Sequence, residues 1–238
     1  MTGAVTFARY AYPPNQLGYC GPDGSSVLLD AASPEAIADH ARRFEGAWPY
    51  LEILARAAGV DDPLDERVVR AYWVGNELLD EVDPGALVTE LRSRFGEQPY
   101  ASWVPGLAHH SYHVFAVYPW VGLVRRGTGG AAALSVLEKC RIRTGEVLAV
   151  DGETVTVRSR PLVHVAGRLG LGEPRDESAA WAAGGRCLPG RPPEAGELVA
   201  LHWDWVCEVL GVEQAAELER RSADQLGRTN AGAAEAAG

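Results

Sequence analysis

The sequence predicts an α+β chain: a mainly helical N-terminal domain over residues 1–128, then a small β domain with a closing C-terminal helix over residues 129–238. Three observations carry this. Capped segments with apolar residues at helical spacing follow one another between Ser33 and Gly96. The stretch CRIRTGEVLAVDGETVTV, from Cys140 to Val157, holds two short β-branched runs around Asp151-Gly152, a pair suited to the positive backbone dihedrals of a tight hairpin turn. After GELVALHWDWVCEVL, from Gly196 to Leu210, the apolar period changes from that of a strand to that of a helix.

In chain order, RYAYPPNQLGYCGPDGSS comes first and is read as a non-helical arm. Pro13-Pro14 favours extended backbone, Gly18 and Gly21 permit reversal, and Pro22-Asp23-Gly24 is a turn by composition. It is either a tyrosine-rich surface arm packed on the helices or a loop that holds the Cys20 thiol accessible between glycines. Ser33-Pro34-Glu35 then opens a helix carrying Ile37, Ala41, Phe44 and Trp48, and Pro49 starts a second that stops at Gly59. Asp65 caps a third, expected to run as far as Val82, and Asp83-Pro84 opens a fourth that ends at Gly96. Four helices in this span make a small bundle.

The apolar run from Val114 to Val124 is a buried helix or strand, a choice periodicity does not settle. The alanine-rich segment from Gly129 to Lys139 is a helix that delivers Cys140 to the mouth of the sheet. Gly196 to Leu210 is read as one half-buried strand, with Ala200 and His202 on one face, and Val212 to Leu226 as the closing helix, ended by Gly227.

Composition narrows the function. The 238 residues are 47% hydrophobic and 23% charged, as expected of a chain with one good core or two modest ones. With 22 basic and 32 acidic residues the net charge is −10, which argues against a nucleic-acid partner, since binding phosphates takes clustered Lys and Arg. No run of about 18 apolar residues occurs and the N-terminus lacks the pattern of a secretory signal, so neither membrane nor export is expected and the location is read as cytoplasmic. The four cysteines, Cys20, Cys140, Cys187 and Cys207, form no CxxC pair or disulfide framework. HEXXH, GxSxG, P-loop and GxGxxG motifs are absent.

The candidate site residues are cysteines and histidines. His109, His110 and His113 are either metal ligands, imidazole being a common donor, or residues that cap an element end. His202 lies on a strand whose partner begins near Cys140, so its imidazole is placed to stabilise a thiolate or orient a bound metal. Asp204 shares its face by period two and either orients the ring or is solvated. Cys187 and Cys207 are read as structural.

Cys140, Gly145 and Val147, together with Gly196, Glu197, Val199, Leu201, His202, Trp205 and Val206, follow the pattern of a known family. The last hundred or so residues resemble the HypC/HupF chaperones of [NiFe]-hydrogenase maturation. The sequence departs from the family in having Cys140 internal, Arg141 where leucine is preferred, and Trp203-Asp204-Trp205 after the histidine. The resemblance implies a small OB/SH3-type β-barrel and a non-enzymatic carrier of iron bearing cyanide and carbonyl ligands. Its ligands would be Cys140 at the barrel rim and His202, with Cys20, His109 or His113 contributing in cis. Its partners would be the hydrogenase large-subunit precursor and other maturation proteins. Two other functions stand beside it: a thiol-dependent enzyme with His202 as base to Cys140, and a metal-free protein-interaction module.

Overall fold

Helix α1 (Gly3–Gln16) is buried on almost every side, with Phe7, Tyr10 and Ala11 fully enclosed, as expected of a helix at the centre of a domain and not on its surface. It runs through Pro13 and Pro14, correcting the expectation of a non-helical RYAYPPNQ. Proline removes the bond to the carbonyl four residues earlier. Packing on all sides holds the last turn in place, and the freed carbonyl of Tyr10 finds another donor, described below. The non-helical arm begins only at Leu17. A computed structural model describes residues 2–96, 98, 101–127 and 130–235, with side chains as far as 232.

Around α1 pack α2 (Pro34–Ala41), α3 (Trp48–Ala58), α4 (Glu66–Trp73) and α5 (Pro84–Phe95); α2 stops short of the expected Phe44 and Trp48, where the chain turns and Trp48 opens α3 instead. Their ends follow local chemistry. Gly59, at φ 66°, closes α3, and the Asp65 and Asp83 carboxylates accept from Arg67 N–H (2.8 Å) and Ala86 N–H (2.7 Å). Helix α4 stops at Trp73 and does not reach Val82. The chain reverses at Gly75, at φ 103°, where a Cβ would lie 2.9 Å from Arg221.

The Val114–Val124 run is helical: α6 (His110–Tyr112) passes into a π-helical turn (His113–Val117), followed by α7 (Trp120–Arg125) and α8 (Gly130–Cys140).

The sheet strands are β1 (Arg143–Asp151), β2 (Thr154–Ser159), β5 (Arg175–Ala180), β8 (Leu198–His202) and β9 (Trp205–Leu210). Between them lie two short hairpins, β3 (Leu162–Val165) with β4 (Arg168–Leu171), and β6 (Ala182–Ala183) with β7 (Arg186–Cys187). The five-strand order is β1-β2-β5-β9-β8, and β8 pairs again with β1, so the pairing returns to its start. The β5–β9 link is a single parallel pair, Ala180 with Trp205. Asp151 pairs with Thr154, which places the first turn at Gly152-Glu153, one residue later than expected.

The Gly196–Leu210 stretch is not one strand but two, β8 and β9, joined at Trp203-Asp204. Trp203 takes a left-handed conformation, φ 54°, that a bulky residue adopts only when its surroundings impose it. They do so here: its N–H donates to Lys139 C=O (2.7 Å), and its carbonyl accepts from Arg143 Nη2 (2.9 Å).

Helix α9 (Val212–Glu235) continues past Gly227, correcting the expected stop. Glycine inside a helix costs about 1 kcal/mol. Tertiary bonds offset this: the Asn230 amide pairs with both N–H and C=O of Leu169 (3.1 and 2.8 Å), and Arg125 donates to Thr229 C=O (2.8 Å).

The main core crosses the expected boundary at 128/129, joining Phe7, Tyr50 and Tyr72 to Ile142, Ala200, Cys207 and Leu218. A smaller core fills the ring of strands with Val147, Val155, Val157, Val199, Leu201 and Val206. Among the described residues, no helix is long and apolar enough to cross a membrane.

One end of the strand ring is closed by a buried ion pair. Arg143, 1% exposed, makes two parallel bonds to Glu177 (2.9 and 2.8 Å). Burial pushes the Glu177 carboxyl upward, but the Arg143 bonds and charge, with the Ser159 hydroxyl, outweigh it and hold it at about 2. Glu177→Ala leaves the guanidinium without its bidentate partner and with only Glu138, 3.9 Å away, and urea unfolding should show a loss of about 3 kcal/mol. The double variant Arg143→Met, Glu177→Leu should recover most of that loss. A single variant within 1 kcal/mol or so of wild type would show that the pair does not hold the ring closed.

Candidate metal centre

Ala133, Leu137 and Cys140 recur at helical spacing on the buried face of α8, which carries the thiol inward. Cys140 is therefore 8% exposed, not an accessible thiol at a barrel rim as expected. The tip of the β8–β9 hairpin is clamped onto the same helix end by the Trp203–Lys139 backbone bond and by an ion pair between Lys139 and Asp204. With residues 139 and 203 joined, their neighbours Cys140 and His202 meet. Asp204 is thus a turn residue occupied by Lys139 and does not orient the His202 ring.

That task falls to α1. His202 Nδ1 lies 2.7 Å from the carbonyl of Tyr10, which can only accept, so Nδ1 carries the proton. This is the carbonyl that Pro14 leaves without an intrahelical donor. The lone pair of His202 is consequently on Nε2, which is buried and makes no well-formed hydrogen bond, with the Cys140 carbonyl also facing the ring.

The third member is His110, at the start of α6. Its Nε2 donates to Cys140 C=O (2.9 Å) and its Nδ1 accepts from the Tyr72 hydroxyl (3.2 Å). Ligand atoms of His110, Cys140 and His202 all lie within 4.8 Å of one another, and all three residues are buried. The two imidazoles meet edge to face, centroids 5.2 Å apart, with Trp73 against both.

Burial sets the electrostatics. It lowers His110 to about 4 against the raising effect of the Cys140 carbonyl. It lowers His202 well below the ordinary imidazole value, helped by the charge of His110. The same burial raises the Cys140 thiol, with Cys20 adding to the effect. Near neutral pH the cluster is two neutral imidazoles and a protonated thiol. This soft and borderline donor set fits a transition-metal ion, which would displace the thiol proton and require His110 to give up its bond to Cys140 C=O or to Tyr72.

Cys20 is half-buried on the arm, and burial pushes its thiol up to about 12. Asn15 Nδ2 holds the loop by donating to the carbonyls of Cys20 (2.8 Å) and Pro22 (2.7 Å). Tyr19 lies on Trp203 with ring centroids 4.2 Å apart, so the arm covers the hairpin tip beside His202.

His109 and His113 are not brought into the cluster. His109 caps α6, its Nδ1 accepting from Ser111 N–H (3.2 Å), and its Nε2 faces the backbone of Trp73 and Val74. His113 packs against Phe95 and Tyr118 and bonds the Tyr50 hydroxyl through Nδ1 (3.1 Å). His110 was one of three histidines in the HHSYH run. Which of them faces inward depends on a one-turn helix running into a π turn, a geometry the 3.6-residue period does not describe. Cys207 is fully buried in the main core and Cys187 sits at the β7 edge.

Five buried histidines make the fold sensitive to acid, His40 among them, lowered by burial and by the charge of Arg43. Burial depresses His109 and His113 to about 3 and His110 to about 4, and lowers His202 well below its ordinary value. Their folded values lie below the unfolded one, so the unfolded chain binds more protons and stability falls as pH drops below about 6.5. Each contributes about 1.4 kcal/mol per pH unit in that window. Circular dichroism should show cooperative unfolding between about pH 6 and 4, with an uptake of about four to five protons. A chain still folded at pH 4 would contradict the neutral burial of these rings.

No curated protein and no solved structure matches this chain. Residues 1–236 match DUF6390, described as a family of unknown function. The match spans both the helices and the strands, and brings His110, Cys140 and His202 within one unit; the chain belongs to the DUF6390 family.

Proposed function

We propose that the protein is a non-enzymatic metal carrier in the maturation of [NiFe]-hydrogenases, holding iron through the Cys140 thiolate, His202 and His110. One observation carries the reading: His110, Cys140 and His202, all buried, bring one ligand atom each within 4.8 Å of one another. The resemblance to HypC/HupF chaperones rests on the sequence around Cys140 and His202, the two residues that meet. A ring of five strands followed by a long helix agrees with an OB/SH3-type barrel of that kind.

The cargo in this reading is iron bearing cyanide and carbonyl ligands, for which a thiolate is a soft anionic donor. Cys20, on the arm over the hairpin tip, supplies a further thiolate in cis, and the recipient is a hydrogenase large-subunit precursor in the cytoplasm. A carrier fits the chemistry better than a thiol-dependent enzyme. Burial keeps the Cys140 thiol protonated, and a nucleophile needs a thiolate and access to substrate.

The test is iron retention by protein co-produced with the hydrogenase maturation machinery. Wild type should retain about one iron per chain with cyanide and carbonyl infrared bands. Cys140→Ala and His202→Ala should lose about tenfold or more of the iron, a factor corresponding to about 1.4 kcal/mol. Cys187→Ala should match wild type. Iron undiminished in Cys140→Ala would sink the proposal, and iron without those bands would leave a metal site but remove the hydrogenase cargo.

A further inference from the structure

Arg9 departs from the way this protein treats its other buried guanidinium groups. Arg141, Arg143 and Arg221, each with a side chain no more than 8% exposed, are all paired with carboxylates. Arg9 is 7% exposed, yet it forms no ion pair among the described residues, and its Nε is buried without a hydrogen-bond partner. A buried charge left uncompensated is strongly unfavourable.

The side chain lines a pocket of about 300 Å³ shared with Pro189, Gly190, Arg191, Glu208 and Val209. Gly190 shapes it. At φ 89° the backbone suits glycine, and a Cβ there would stand 2.3 Å from Arg9 Nη2, so any side chain would push the end of the guanidinium out of its present place. The charges around the pocket are otherwise accounted for. Glu208 accepts from Tyr10 (2.8 Å) and Arg70 (2.8 Å), and Arg191 pairs with Glu197.

We infer that this pocket is a binding site for a small monocarboxylate, held by the guanidinium of Arg9 against the Gly190 backbone. One uncompensated positive charge calls for one negative charge, and a planar guanidinium matches a planar carboxylate through two parallel bonds. A dianion would face Glu208 with no second unpaired cation among the described pocket residues. The volume lies at the lower end for small-molecule sites. This inference is independent of the metal reading.

The test uses the full chain at fixed ionic strength, with acetate or phosphate replacing chloride. Acetate should raise the Tm by about 2–4 °C through preferential binding to the folded state. It should also shift the Arg9 Nε–H signal in a ¹H–¹⁵N spectrum, a readout that needs no variant. In Arg9→Met the acetate effect should vanish, while the Tm in chloride should equal or exceed that of wild type, since the unpaired charge is gone. Gly190→Ala should abolish the acetate effect with Arg9 still present. An acetate effect that persists in Arg9→Met, an unmoved Arg9 signal, or a Tm that responds to phosphate but not acetate would each overturn the assignment.

Discussion

The backbone bond from Trp203 N–H to Lys139 C=O is the constraint on which the arrangement of the molecule turns. It ties the tip of the β8–β9 hairpin to the last turn of α8, two elements more than sixty residues apart in sequence. Everything near it is fixed from both sides. Arg143, three residues beyond α8, bonds the Trp203 carbonyl and the Glu177 carboxylate, so the same hairpin tip is anchored to β5 of the strand ring. A left-handed tryptophan costs energy, of order 1–3 kcal/mol, and persists only where its surroundings over-determine it. Two backbone bonds, an ion pair at Asp204 and a buried indole do so here.

The second constraint comes from the opposite side. Helix α1 presents the Tyr10 carbonyl to His202 because Pro14 has no N–H to offer it. A proline that would ordinarily be a defect so near a helix interior here supplies an acceptor, and the acceptor decides which imidazole nitrogen keeps its proton. Tyr10 also reaches Glu208 on β9 through its hydroxyl, and Arg70 on α4 meets the same carboxylate. The helical segment is therefore built into the site and is not an appendage to the β domain. Its Tyr72 and His110 complete the enclosure.

Much of the frame was legible in the sequence because local chemistry wrote it. Asp65, Asp83 and Gly59 end helices through their own hydrogen bonds or dihedral freedom, and the alanine-rich helix that delivers Cys140 needs no tertiary help to be recognised. Where long-range packing decided, the reading failed. The prolines of α1 sit in a helix held by neighbours on all sides, Gly227 lies in a helix held by Asn230 and Arg125, and the turn at Trp203-Asp204 puts a tryptophan in the left-handed position because Lys139 and Arg143 impose it. Of the site, Cys140 and His202 were found from sequence and meet in the fold. His110 was hidden among three histidines, and the burial of Cys140 could not be seen without knowing which face of α8 the helical segment covers.

Burial has one further consequence, which links the stability of the fold to the chemistry of the cluster. Removing His110 and His202 from water lowers their basicity, so both lone pairs stay free of protons near neutral pH, the condition a metal ligand requires. The same removal raises the Cys140 thiol, so without a cation the sulfur keeps its proton and the cluster carries no net charge in a low-dielectric interior. A cation entering would exchange for that proton and leave a paired charge in place of a neutral group. The fold is thereby stable unloaded, ready to ionise only against a metal, and weakened by the acid that would protonate its imidazoles. Such a site would discriminate by charge compensation: a ligand that brings no positive centre gains nothing from the thiol, whereas one that does would obtain a thiolate and the His202 imidazole oriented by Tyr10, with His110 joining only if it releases Tyr72 or the Cys140 carbonyl.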